Sequence, residues 1–160
     1  MSDFRLEVFP GAYSNEDAYK LVLDYIKRKY YICGYGFSLS PTLSILQQYQ
    51  HAQEYSNQTG SRLIWHFVLT FSEPWKYQTL LQLANQIAIL FSEDYQVLYG
   101  LDTEGHAPHL HFGVNAFSYH PDSPILSEER LRTYLSMIED LLLSQFPGRT
   151  FTLQFQGKKG

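Results

Sequence analysis

Cysteine occurs once in this chain, at Cys33, so no internal disulfide framework is available. No apolar run approaches the roughly 18 residues a membrane-spanning helix needs. No N-terminal stretch joins a basic start to an apolar segment and a small-residue cleavage site. The chain is therefore expected to be soluble and cytoplasmic, with no membrane partner. Positive charge is also scarce, since 12 Lys and Arg against 16 Asp and Glu leave a net charge of −4. Nonspecific nucleic-acid affinity is mostly neutralisation of phosphates by Lys and Arg, so any nucleic-acid contact must be local. Internal repeats and low-complexity segments are missing as well. Apolar and aromatic side chains are plentiful, with 13 Tyr and 11 Phe in 160 residues. That content suits one well-buried domain over residues 1–160.

Periodicity places the elements. Phe4 to Phe9 reads as a strand stopped by Pro10-Gly11. Ser14 or Asn15, followed by Glu16 and Asp17, offers a helix start, because side-chain oxygens satisfy free amides and acids suit the positive end of the dipole. Ala18, Leu21, Val22, Tyr25 and Ile26 then repeat at helical spacing to about Tyr30. Gly34 and Gly36 read as breaks, and Ser40-Pro41 as the opening of a second helix to about Tyr55. Leu63 to Phe71, rich in β-branched and aromatic residues, reads as a central strand. A helix over Tyr77 to Ser92 follows, then a strand from Tyr95 to Leu101, a turn from Asp102 to Pro108, and a returning strand from His109 to Phe117. A last helix begins after Ser127-Glu128-Glu129 and ends before Pro147-Gly148, and Phe151 to Phe155 alternates once more. The hairpin implies antiparallel pairing, so the fold class is α+β.

The chemistry concentrates in Asp102 to Asn115. His109 and His111 stand two residues apart on an alternating strand, so their side chains share a face, about 7 Å apart by the strand's rise, while Leu110, Phe112 and Val114 face the core. Two imidazoles so placed can close on one divalent ion. His66 would share a face with Val68 and Thr70 on the central strand. His106 reads as a loop residue, and His51 and His120 as surface residues.

The run Asp102-x-Glu104 followed by His109-Leu110-His111-Phe112-Gly113-Val114-Asn115 resembles the third motif of plasmid relaxases, the mobilisation nucleases of the HUH endonuclease superfamily. His109 and His111 fall on that motif's paired histidines and Asn115 on its closing Asn. Asp102 falls on its leading His, and Glu104 on its Asp. His66 to Ser72 is similar to the strand before the family's middle helix, and Leu23-Asp24-Tyr25-Ile26-Lys27-Arg28 to the early segment that carries its nucleophilic Tyr.

The resemblance implies a ferredoxin-like fold with a central antiparallel sheet flanked by helices. It implies nicking and rejoining of single-stranded DNA at a transfer origin through a 5′-phosphotyrosyl link, with accessory relaxosome proteins as partners. Tyr25 would be the nucleophile, and His109, His111 and Asp102 the metal ligands. Glu104, His66 and Asn115 would stand behind the ligands, and Lys27 and Arg28 would contact DNA. Asp102 in place of the leading His makes the site harder and more anionic, which favours Mn²⁺ or Mg²⁺ over Zn²⁺ and implies a weakened nuclease. Tyr134, downstream of the His pair, is the competing nucleophile, in the order of small single-Tyr HUH transposases. A noncatalytic DNA-binding module and an unrelated metal hydrolase remain the other classes.

Overall fold

A computed structural model describes residues 2–9, 17–29, 31–38, 40, 42–60, 62–105 and 107–156. The expected stop at Pro10-Gly11, the helix start at Ser14 to Glu16, the helix end at Tyr30, Pro41, His106 and the Gly157 to Gly160 tail lie outside them. In chain order the elements are β1 (Phe4–Val8), α1 (Ala18–Lys27), β2 (Tyr31–Tyr35), α2 (Ile45–Tyr55), β3 (Ile64–Phe71), α3 (Tyr77–Ser92), β4 (Val97–Asp102), β5 (His109–Asn115), α4 (Glu128–Gln145) and β6 (Phe151–Phe155). The fold is α+β. Among the described residues no helix is long and apolar enough to cross a membrane.

The strands form one six-stranded sheet in the order β2-β4-β5-β3-β1-β6. It is antiparallel except at one edge, where β6 runs parallel to β1. The central strands pair antiparallel, as expected, and the parallel edge strand β6 makes the sheet as a whole mixed. Alternation along the strands separates two faces. Phe67, Leu69, Phe71, Leu110, Phe112 and Val114 are buried on one of them, where Phe67 packs on Phe91 of α3, which in turn stacks on Tyr134 of α4. The opposite face carries α1 and α2. There Val22 and Ile26 of α1 sit over Gly113, and the Tyr49 hydroxyl of α2 donates to the Gly113 carbonyl at 2.9 Å.

Two sequence readings needed tertiary information. Gly34 lies inside β2 instead of breaking the segment, because a Cβ there would run into the Val97 carbonyl oxygen of β4 and the Phe37 ring. The second helix starts later than Ser40-Pro41. Ser44 caps α2 by accepting from the Gln47 N–H at 3.1 Å, while the Gln47 side chain accepts from the Ser44 N–H at 2.9 Å, which closes a capping box.

Candidate active site

β5 delivers the paired histidines to the α1/α2 face. In the antiparallel register His111 sits opposite Val68 on one side and Gly100 on the other, and His109 opposite Thr70 and Asp102. Side chains directly opposite share a face, so Asp102, His109 and His111 all project to the same side, with His66 on the neighbouring strand. The two imidazoles are 6.5 Å apart between ring centroids, close to what the strand's rise dictates.

Glycine decides how near α1 comes. A Cβ at Gly100 would lie 3.0 Å from the Ile26 carbonyl oxygen and from the Lys29 Cβ, and one at Gly113 would lie 2.9 Å from the Ile26 Cδ1. Without side chains at these positions the helix lies low on the sheet, which brings Tyr25 of its last turn and Lys29, just past its end, down toward His111. Gly100→Ala is expected to cost about 1–3 kcal/mol through overpacking. A urea titration reads that loss, and a change under about 0.5 kcal/mol would mean that α1 lifts freely.

The Tyr25 ring stands edge-on to His111 at 5.2 Å between centroids and tilts against His66 at 5.7 Å. Sequence spacing put Leu21 and Tyr25 on the buried stripe of α1. The structure instead buries Ala18, Tyr19, Val22, Leu23 and Ile26, leaving Leu21 61% and Tyr25 37% exposed. The phenol is thus packed on the imidazoles yet reachable from solvent. A cleft of about 260 Å³, lined by Phe9, Leu21, Val22, Tyr25 and His66, opens beside it. Tyr134, by contrast, is stacked on Phe91 at 4.6 Å on the far side of the sheet.

A chain of polar contacts runs through the imidazoles. His66 Nε2 is 3.2 Å from His111 Nδ1, and His111 Nε2 is 3.5 Å from Asp102 Oδ2. With the carboxylate as acceptor, His111 carries its proton on Nε2, so its Nδ1 accepts from the Nε2–H of His66. Burial is the main force holding both rings neutral. It lowers the His66 pKa to about 3, with the charges of His111 and Lys29 adding to the effect. It lowers that of His111 to about 4, where Lys29 reinforces the shift and Asp102 opposes it.

Asp102 accepts the Glu104 backbone N–H at 3.0 Å and pairs with the Lys29 ammonium at 3.1 Å. Burial raises the pKa of the carboxyl, but the Glu104 N–H, Lys29 and His111 outweigh it, and the group stays below the ordinary Asp range. For Lys29, burial lowers the pKa, and hydrogen bonds to Asp102 and Tyr25 overcome it to leave the ammonium above its ordinary value. That ammonium also rests 4.0 Å from the centroid of the Tyr25 ring.

The other expected residues divide. His66 touches His111, its Nε2 3.2 Å from the His111 Nδ1. What Glu104 brings to the site is its backbone N–H, since its side chain is exposed. Asn115 lies at the other end of β5 and spends its side chain on a buried network. It accepts from the Tyr19 hydroxyl at 2.8 Å and the Phe117 N–H at 3.1 Å, and donates to the Tyr49 carbonyl at 3.0 Å and Gln96 Oε1 at 2.7 Å. Its work is to tie α1 and α2 to β5 rather than to orient a ligand. Lys27 reaches Asp24 at 4.0 Å, the Arg28 guanidinium lies 5.7 Å from the Tyr25 ring centroid, and both line an open groove with Asp17, Lys20, Leu21 and Asp24. His51 and His120 are exposed, as expected. The pairing of Lys29 with Asp102 is what the sequence did not foretell. Lys29 lies past the C-cap Arg28 of α1, so helical periodicity does not place it.

The donors suit a divalent cation chemically. His111 is held neutral, the Asp102 carboxylate is held ionised, and His109 Nδ1 is buried with no hydrogen-bond partner among the described residues. As the side chains stand, no group of three or more His, Cys, Asp or Glu among the described residues is arranged to hold a metal ion. No family model, curated protein or solved structure matches this chain.

Proposed function

We propose that this chain is an HUH-type nuclease domain that nicks and rejoins single-stranded DNA at a transfer origin, in the manner of plasmid relaxases. The observation that carries the reading is the placement of one partly exposed phenol, Tyr25, directly against the imidazoles of His111 and His66. The chemistry would be attack of the Tyr25 oxygen on a phosphodiester. A bond forms from that oxygen to phosphorus and the bond to the 3′ oxygen breaks. Tyr25 loses its proton and the departing oxygen gains one as a 3′-hydroxyl, leaving a 5′-phosphotyrosyl link whose retained energy permits rejoining.

His109, His111 and Asp102 would hold a divalent cation, Mn²⁺ or Mg²⁺ with Zn²⁺ as the softer alternative, which when bound supplies charge stabilisation at a nonbridging phosphate oxygen. With the cation at His111 Nε2, the ring's proton would sit on Nδ1 and be donated to His66 Nε2, the reverse of the resting direction, so that His66 would hold His111 in its ligand tautomer. The cleft beside Tyr25 would receive the substrate, with Arg28 and Lys27 meeting backbone phosphates at its rim. The Lys29–Asp102 pair favours a second reading, a noncatalytic DNA-binding module of a relaxosome, because it neutralises the carboxylate from within.

One experiment separates the two. Random-sequence single-stranded oligonucleotides labelled at the 3′ end are incubated with the chain and Mn²⁺, then run on a denaturing gel. A covalent adduct is expected, lost in Tyr25→Phe and kept in Tyr134→Phe. An adduct that survives Tyr25→Phe would overturn the assignment of the nucleophile. Oligonucleotide binding without any adduct would favour the noncatalytic module.

A further inference from the structure

The position opposite the histidines already holds a positive charge. Lys29 extends from just beyond the C-terminal end of α1, where its N–H bonds the Ile26 carbonyl at 3.0 Å. Its side chain is only 12% exposed and its ammonium lies 3.1 Å from Asp102 Oδ2. The same nitrogen stands over the Tyr25 ring. Two partners therefore hold it, the Asp102 carboxylate and the face of the Tyr25 ring, and the Gly100 gap seats its stem against the sheet. A divalent ion bound at the same carboxylate would meet this ammonium within a few ångströms in a poorly hydrated site, where like charges repel strongly.

We propose that Lys29 is a resident counter-ion that competes with divalent cations for Asp102, so that loading the site expels the ammonium from its seat and releases its hold on the Tyr25 ring. The inference rests on the reading of His109, His111 and Asp102 as ligands. Lys29 is a positioning residue in this scheme. In the resting chain it neutralises Asp102 and clamps the phenol, and once displaced it swings toward the cleft mouth, where a DNA phosphate offers a new partner.

Calorimetric titration with Mn²⁺ alone tests the competition without any reaction. Lys29→Met and, as a second replacement less prone to misfolding, Lys29→Gln are each expected to bind Mn²⁺ at least tenfold more tightly than the unaltered chain. Asp102→Asn is expected to bind at least tenfold more weakly. A second readout follows Lys29 in the unaltered chain. Its ε-methylene NMR signal, shifted by the Tyr25 ring current, should move toward the ordinary lysine position as Mg²⁺ saturates the site. Equal Mn²⁺ affinity in the unaltered chain and both Lys29 variants would overturn the competition while leaving the metal site intact, and so would an ε-methylene signal that stays put at saturation. No Mn²⁺ binding by any of them would remove the metal site itself, and the competition with it. Competition observed in a chain that forms no DNA adduct would keep this inference and discard the nicking reaction.

Discussion

Replacing Asn115 with alanine is expected to cost about 3–5 kcal/mol, a large share of the stability of a domain this size. The side chain is fully buried, and its four hydrogen bonds reach α1 through Tyr19, α2 through the Tyr49 carbonyl, the Gln96 amide ahead of β4, and the Phe117 N–H. Truncation leaves each of those groups buried without its partner, and an orphaned buried donor costs its full desolvation, about 1–3 kcal/mol. The Tyr19 hydroxyl is the most exposed to this penalty. Burial raises its pKa far above the ordinary range, so it can act only as a neutral donor in need of an acceptor. Tyr19→Phe should be much milder, about 1 kcal/mol, because it removes the donor instead of stranding it. The double variant should then cost less than the sum of the two, a coupling of the kind shared networks produce. Urea denaturation with an unchanged slope checks all three. A loss below 1 kcal/mol for Asn115→Ala would mean that water or a neighbouring amide takes over the network.

The second large effect is acid lability. Above about pH 6.5 His66 and His111 are neutral in the folded and unfolded chain alike, and neither contributes to pH dependence. Below that value the unfolded chain takes up protons that the folded one refuses. Stability therefore falls as pH drops, until His111 protonates in place near pH 4 and His66 near pH 3. Each full pH unit of this gap is worth at most about 1.4 kcal/mol per histidine, so together they should remove about 3–6 kcal/mol by pH 4. Asp102, whose pKa is depressed in the folded chain, contributes in the same direction at the acidic end of the range. His66→Phe isolates the histidine part. It places a ring of similar size against Phe9, whose centroid is 4.9 Å away, and should roughly halve the slope of the stability curve between pH 6 and 4, leaving the share of His111. A wild-type curve already flat over that interval would show that the imidazoles are better hydrated than their burial implies.

Much of this architecture could be read from residue order, for identifiable reasons. α3 matches the expected Tyr77 to Ser92 because its apolar positions repeat cleanly and no turn residue interrupts them. β3 and β5 carry continuous or alternating apolar runs that local rules describe well. β2 was missed because Gly34 looks like a breaker from its neighbours alone. Its reason for being glycine is the Val97 carbonyl, 63 positions away in sequence. The same division holds at the site. His109 and His111 stood out through two-residue spacing, and Asp102 only through the resemblance of its run to the relaxase motif. The contact of His66 with His111 depends on the register of β3 against β5, which no short-range pattern encodes. Asn115 sat at the expected position but serves packing, because the pattern that marks it says nothing of the hydroxyls and amides that surround it.

The parallel pairing of β6 with β1 sets a condition on assembly. Phe4 lies beside Phe151, and Asp3 meets Thr150 and Arg149 across a separation of about 147 positions. During synthesis β3 emerges well before β6, so β1 can pair with β3 while its outer rim of amides and carbonyls stays bare until β6 follows. Removing β6 would make that bare rim permanent, offering a ready template for the same strand from another molecule.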